Sequence, residues 1–157
     1  MNKKKSGMLL AVADGEAIPI DTVEDEVFSS RMLGDGFAVD PKSGNFFSPA
    51  DGVIENISET LHAYTLRTDD GLDILIHIGI DTVELSGKGF TPFVKKGDRV
   101  SAGDLIARAD LGLIKENGFS AVTPVIISNY DEISSYDISL GDVTGGKSTV
   151  IKYIRSE

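Results

Sequence analysis

The chain has 157 residues, enough for one ordinary domain with a real core and too few for two sizeable ones, and area scaling puts its folded surface at about 7,600 Å². Apolar residues are 41% and charged residues 25%, a globular balance, and the absence of cysteine excludes disulfides, thiolate zinc sites and a cysteine nucleophile while fitting a reducing compartment. Lys and Arg number 15 against 25 Asp and Glu, a net charge of −10 that repels nucleic acid and anionic membranes and attracts a protein with a basic patch, although by itself it does no more than keep a protein soluble. Along the chain, Lys3, Lys4 and Lys5 followed by a six-residue apolar run imitate a signal peptide, but the run is below the usual seven to fifteen. Residues 1–7 therefore read as a frayed leader and 8–157 as one domain. No apolar run approaches the roughly 18 residues of a membrane span, so no membrane insertion is expected and the protein reads as cytoplasmic.

Residues 23–32 hold a turn or two of helix. Short alternating runs then read as strands at 53–57, 61–68 and 72–80. Residues 94–107 repeat an X-Gly-Asp turn and are similar to the hairpin of biotinyl and lipoyl carrier domains. Further strands are expected at 104–109, 123–128 and 149–155, with a second helical turn at 110–117. Glycine-bearing turns such as Asp14-Gly15, Asp51-Gly52 and Asp70-Gly71 recur about every ten residues. The expectation is all-β: an antiparallel β-sandwich or barrel-sandwich hybrid with one or two short helical turns. Near the end, Gly141–Ser148 satisfies the P-loop pattern, yet the β-rich run Thr149–Ile154 follows where a phosphate-binding helix is required. Nucleotide binding is not expected.

The chain has two histidines, His62 and His77. In the 72–80 run, Leu72, Ile74, Ile76, Ile78 and Ile80 form an aliphatic stripe, so His77 faces the other way, toward solvent or a cleft. If Asp70-Gly71 is a two-residue turn, His62 lies opposite Gly79, with His77 as its diagonal neighbour on the same face; a three-residue turn flips the parity and parts the rings. Two adjacent imidazoles beside Asp81 suit nucleophilic or proton-transfer work; isolated on a surface they do nothing.

The run from Ile76 through His77 to Leu85, followed by Gly87-Lys88-Gly89-Phe90, closely resembles the active-histidine signature of the glucose-family IIA component of the bacterial sugar phosphotransferase system. Thr60-Leu61-His62-Ala63 resembles its second-histidine motif. Gly34-Asp35-Gly36-Phe37-Ala38, Ser48-Pro49-Ala50-Asp51-Gly52 and Thr123-Pro124-Val125-Ile126 match further landmarks, and the likeness runs from about Ala11 to Ile154. The resemblance implies a phosphotransferase component: His77 accepts a phosphoryl group from phosphohistidine on HPr and passes it to a cysteine of the IIB domain during sugar uptake. His62 would hydrogen-bond the phosphoryl group and Thr60 would orient His62. No metal or cofactor is implied, because phosphohistidine is already an activated donor. Without cysteine the chain lacks the downstream acceptor, so it reads as the IIA part alone.

The family's docking face carries over to an apolar ring of Val27, Phe28, Met32, Leu33, Leu75 and Val83, with Asp25 and Asp81 as its acids. Regulation of transport by protein binding is an additional role found in the family. Glu26 and Ser58 depart from it by standing where some members carry apolar residues, and Ala13-Asp14-Gly15 lacks a proline often found near that turn. The rival reading is a zinc-dependent hydrolase, by likeness to zinc peptidases of similar architecture. Two histidines and an aspartate could supply three ligands, but the His-x-His pair of those enzymes is missing.

Overall fold

A computed structural model describes residues 4–156. In chain order the strands are β1 (Lys4–Leu10), β2 (Gly15–Pro19), β3 (Asp35–Pro41), β4 (Asn45–Phe47), β5 (Gly52–Ile57), β6 (Ala63–Thr68) and β7 (Asp73–His77). There follow β8 (Phe90–Pro92), β9 (Arg99–Val100), β10 (Leu105–Ala109), β11 (Thr123–Ile127), β12 (Ile133–Ile138), β13 (Gly141–Val143) and β14 (Thr149–Ser156). The helices are α1 (Glu26–Ser29) and α2 (Leu111–Glu116), one or two turns each, as expected. The strands form sheets ordered β1-β14-β12, β4-β10-β8 and β13-β2-β3-β11-β7-β6-β5-β9, and the pairings are antiparallel. The folded surface is 7782 Å².

The main core draws on all three sheets. Leu9, Ile151 and Tyr153 come from the first, Phe46, Ile106 and Phe90 from the second, and Phe37, Ile54, Leu66, Ile74, Ile76 and Val125 from the third. Each such side chain contributes roughly 1.5–3 kcal/mol by leaving water. A smaller cluster lies on the opposite face of the large sheet: Ile20, Val23, Phe28, Ala38, Ile80 and Ile126. The segment from Ile18 to Phe28 lies over this face and buries it, which leaves β11 buried on both sides. The aliphatic stripe of β7 accordingly serves the main core from Leu72 to Ile78, and Ile80 crosses to the second cluster.

Three expectations change. The leader assigned to residues 1–7 does not hold for Lys4–Gly7, which pair with Tyr153–Ser156 as the first half of β1; residues 1–3 lie outside the described residues. The expected hairpin at 94–107 does not pair with itself: β9 pairs with β5, and β10 with β4 and β8. Its two turns are instead each closed by an aspartate, Asp98 accepting from the Lys95 amide and Asp104 from the Ser101 amide, and they carry the chain between sheets. The β6–β7 turn holds three residues, Asp69 to Gly71. Leu72 donates to the Thr68 hydroxyl and Thr68 donates to Asp70, so Ala63 faces His77 and Arg67 faces Asp73. The free ends of β1 and β14 lie beside this turn, where Tyr153 donates to Asp70 and Arg155 abuts Gly71.

Gly141–Ser148 is β13, a turn and the approach to β14, with no helix. Two of its glycine amides are already engaged: Gly145 N–H donates to Asp14 and Gly146 N–H to the Ala11 carbonyl.

The hydroxyl of Tyr64 is buried in the core without a hydrogen-bond partner, and burial pushes the phenol up to about 12. An unmade hydrogen bond at a buried group costs about 1–3 kcal/mol. Tyr64→Phe is therefore expected to raise the melting temperature by about 2–4 °C. Calorimetry checks this; a lower melting temperature would mean that the hydroxyl is satisfied by a buried water.

Candidate functional site

The two imidazoles meet with ring centroids 4.7 Å apart and planes at 80°, edge to face. They do so although the turn has the length expected to part them. His62 stands just before β6, where strand alternation has not begun, and Leu61 ahead of it is left-handed at φ 62°. The final rung is the Ile78 amide donating to the His62 carbonyl at 2.7 Å. Opposite His77 on the same face stands Ala63, whose small side chain leaves the imidazole room.

His77 ends β7. Two residues on, Gly79 is left-handed at φ 79°, which turns its carbonyl back to accept from His77 Nδ1 at 2.7 Å. A side chain at 79 would strike the Thr82 methyl at 2.5 Å and the Ser120 carbonyl at 2.8 Å, so only glycine fits. A carbonyl only accepts, so the His77 proton sits on Nδ1 and the Nε2 lone pair is free. Thr82, wholly buried, donates to the Ile78 carbonyl and pins the loop. Burial lowers the His77 pKa, against the Gly79 carbonyl and the charges of Asp25 and Asp81, which act to raise it. The ring is thus neutral with cation-stabilising groups around it.

His62 is 6% exposed. Its Nδ1 lies 2.8 Å from Thr60 Oγ1 and 3.4 Å from Ser58 Oγ. Burial, then the neighbouring His77, pushes its pKa down to about 4.

The expected docking residues divide. Met32 is 76% exposed, and Val27, Leu33 and Val83 are also exposed. Leu75 is half-buried against the second cluster. Phe28, at 5% exposure, belongs to that cluster, and its ring packs on His77 at 5.0 Å. It lies beside the imidazole and is more buried than Val27, Met32, Leu33 and Val83. Asp25 has a second role as N-cap of α1, accepting from the Val27 amide at 2.9 Å. Asp81 is exposed and left-handed at φ 62°. The carbonyl of Gly79 and the hydroxyls of Thr82 and Ser58 were not anticipated as parts of the site; the His-x-Gly spacing was the one sign of the first.

Among the described residues no group of three or more His, Asp or Glu is arranged to hold a metal ion. Cavities of about 430 and 400 Å³ run along β12 and contain neither histidine. The imidazoles instead sit on a half-buried surface rimmed by exposed apolar residues, which suits a protein partner.

The family described as phosphoenolpyruvate-dependent sugar phosphotransferase system, EIIA 1, matches residues 7–133. The chain is 41% identical to the glucose-specific EIIA component of Haemophilus influenzae over 96% of its own length and 90% of that protein. It is 43% identical to the glucose-specific EIICBA component of Streptococcus pneumoniae over 90% of its length, which is 20% of that longer protein. The solved glucose permease IIA of Mycoplasma capricolum superposes with a TM-score of 0.89 at 40% identity, covering 94% of this chain and 96% of that one.

The His62 shift has a sign that can be tested. Unfolded, the ring protonates near 6.5; folded, it resists until about 4. Stability from this group is complete above pH 6.5 and is lost as pH falls toward 4, by on the order of 3 kcal/mol. Urea unfolding across that window is expected to fall less steeply for His62→Gln than for the wild type. Equal slopes would show that His62 is solvated.

Proposed function

The chain belongs to the EIIA 1 family of the phosphoenolpyruvate-dependent sugar phosphotransferase system, a phosphoryl carrier of sugar uptake that works through a phosphohistidine, and from that premise we propose that His77 is the acceptor and His62 its partner. The observation that carries this reading is the Gly79 carbonyl on His77 Nδ1, which leaves Nε2 as the one nucleophilic nitrogen. The Nε2 lone pair attacks the phosphorus of phosphohistidine on HPr. A nitrogen–phosphorus bond forms on His77 as the bond on HPr breaks, and the HPr imidazole leaves with its electron pair. The phosphorylated ring keeps its Nδ1 proton and becomes cationic, which the Gly79 carbonyl, Asp25 and Asp81 favour. Transfer onward to a cysteine thiolate of IIB returns the lone pair to Nε2.

A phosphoryl transition state is loose, so positioning and charge matter more than covalent help. His62, neutral at physiological pH, offers an N–H to the phosphoryl oxygens, and Thr60 holds that ring through Nδ1. Val27, Met32, Leu33 and Val83 form the docking rim, with Leu75 behind it and Asp25 and Asp81 as the acids that meet a basic partner. No helix among the described residues is long and apolar enough to cross a membrane. The family supports work at the cytoplasmic face beside a membrane permease. The glucose-specific names of relatives support glucose as the sugar served.

Incubation with phosphoenolpyruvate, enzyme I and HPr, followed by intact mass, tests the assignment. Wild type is expected to gain one phosphoryl group, His77→Ala none. His62→Gln is expected to gain it and pass it to IIB at least tenfold more slowly. A phosphorylated His77→Ala protein would show the acceptor to be elsewhere.

The acids act on encounter. Exposed charges are screened beyond about 10 Å at 0.1 M salt, so transfer at limiting HPr is expected to slow as salt rises. Asp81→Asn removes the charge while tolerating the left-handed backbone, and is expected to flatten that dependence. Stopped-flow salt series on both proteins check this; parallel slopes would remove Asp81 from steering.

A further inference from the structure

The turn that joins α1 to β3 carries Leu33 and Met32, the most exposed apolar side chain of the docking rim. It opens on Arg31, which is left-handed at φ 63° and whose carbonyl accepts from the Gly34 amide at 3.3 Å. Arg31 is the one Lys or Arg between Lys5 and Lys42, and none lies between Arg67 and Lys88. The two segments that build the rim therefore hold a single cation, on a face where Asp25 and Asp81 meet a basic partner. A long guanidinium free to swing at that corner would set like charge before the partner, which opposes association.

The side chain is not free. Arg31 Nε donates to Asp35 Oδ1 at 3.0 Å, with the Arg31 side chain 47% exposed and that of Asp35 18%. The same Oδ1 accepts from the Gly36 amide at 2.9 Å, and Oδ2 accepts from the Tyr136 hydroxyl at 3.2 Å, which reaches across from β12 in another sheet. Both carboxylate oxygens are thus engaged, and the backbone of β3 sets their direction. Asp35, first through the hydrogen bond and then by charge, raises the Arg31 pKa, and Asp21 is a further carboxylate whose field reaches it. An exposed ion pair adds little to stability; what this one does is fix where the charge lies.

We propose that Asp35 is a positioning residue of the docking face: it draws the Arg31 guanidinium down onto β3 and cancels its charge, so that a basic partner approaching Met32 and Leu33 meets no opposing cation. Tyr136 and the Gly36 amide keep the carboxylate turned to that task. The proposal rests on the docking face described above, and its test separates the two.

Rates of phosphoryl transfer from phosphorylated HPr at low salt give KM and kcat. Asp35→Asn keeps an acceptor for the Gly36 amide and a partner for the Tyr136 hydroxyl, and loses the charge. It is expected to raise KM about threefold with kcat unchanged, the scale of one exposed charge pair, and the rise is expected to fade as salt screens it. Adding Arg31→Gln to that chain is expected to return KM to the wild-type value although the ion pair is still missing, which separates an uncovered charge from a damaged turn. Arg31→Gln alone is expected to leave KM unchanged or lower. Asp142→Asn makes the same change of net charge on β13, in register with Glu16 and Asp40 and so about 17 Å along the sheet from Asp35, and is expected to leave KM unchanged. A wild-type KM for Asp35→Asn, a rise that Arg31→Gln does not rescue, a raised KM for Arg31→Gln alone, or an equal rise for Asp142→Asn overturns the proposal. Met32→Lys, which puts a new cation on the face, is expected to raise KM. An unchanged KM there overturns the docking reading itself; a raised one beside an unmoved Asp35→Asn overturns the role of Asp35 alone.

Discussion

The hydrogen bond from His77 Nδ1 to the carbonyl of Gly79 organises the site, and much of the local backbone exists to permit it. A histidine in a continuing strand cannot reach a carbonyl two residues ahead. The strand must stop, the next residue but one must be left-handed, and that position must be free of a Cβ. Glycine at 79 meets the last two conditions, and Thr82 holds the reversed chain by bonding back to Ile78. The same reversal sends Ile80 to the second cluster, where it packs with the segment that brings Phe28 against His77. Nucleophile, tautomer and one wall of the site thus follow from one backbone inversion.

Electrostatics around the two rings are balanced in opposite ways. His62 is shielded and next to another imidazole, so charging it is unfavourable. His77 is also held neutral by burial, yet acids and a carbonyl stand ready for a positive ring. The pair can therefore stay neutral while at rest, and only one member is built to bear charge during the reaction. Neighbouring groups of identical chemistry gain different roles from their surroundings.

The sequence made some of this legible. The aliphatic stripe of 72–80 is unambiguous because the core faces it on one side, and it put His77 on the other face correctly. Six strands were expected and fourteen are present among the described residues. Several of the missing ones, such as β9 and β13, have two or three residues and carry no periodicity. The strand β12 is exposed along most of its length, so no apolar alternation marks it, and the lysines of β1 imitate a leader. The turn length went astray because the Thr68 hydroxyl selects three residues over two, a side-chain choice that turn dipeptides do not reveal. The histidines met all the same, since His62 escapes the parity rule by standing before its strand.

The free ends of β1 and β14 lie beside the β6–β7 turn, and the histidines stand at the other end of those strands, about 17 Å away at 3.3 Å per residue. A polypeptide joined to either end would leave from the pole opposite the reacting nitrogen. Such a tether would hold the domain near a companion without lying across its working face. The gain would be one of local concentration, millimolar for a short flexible linker, and it would require no new contact surface. Free diffusion and attachment are thus equally compatible with this architecture, because the direction of the leash and the direction of the chemistry are opposed.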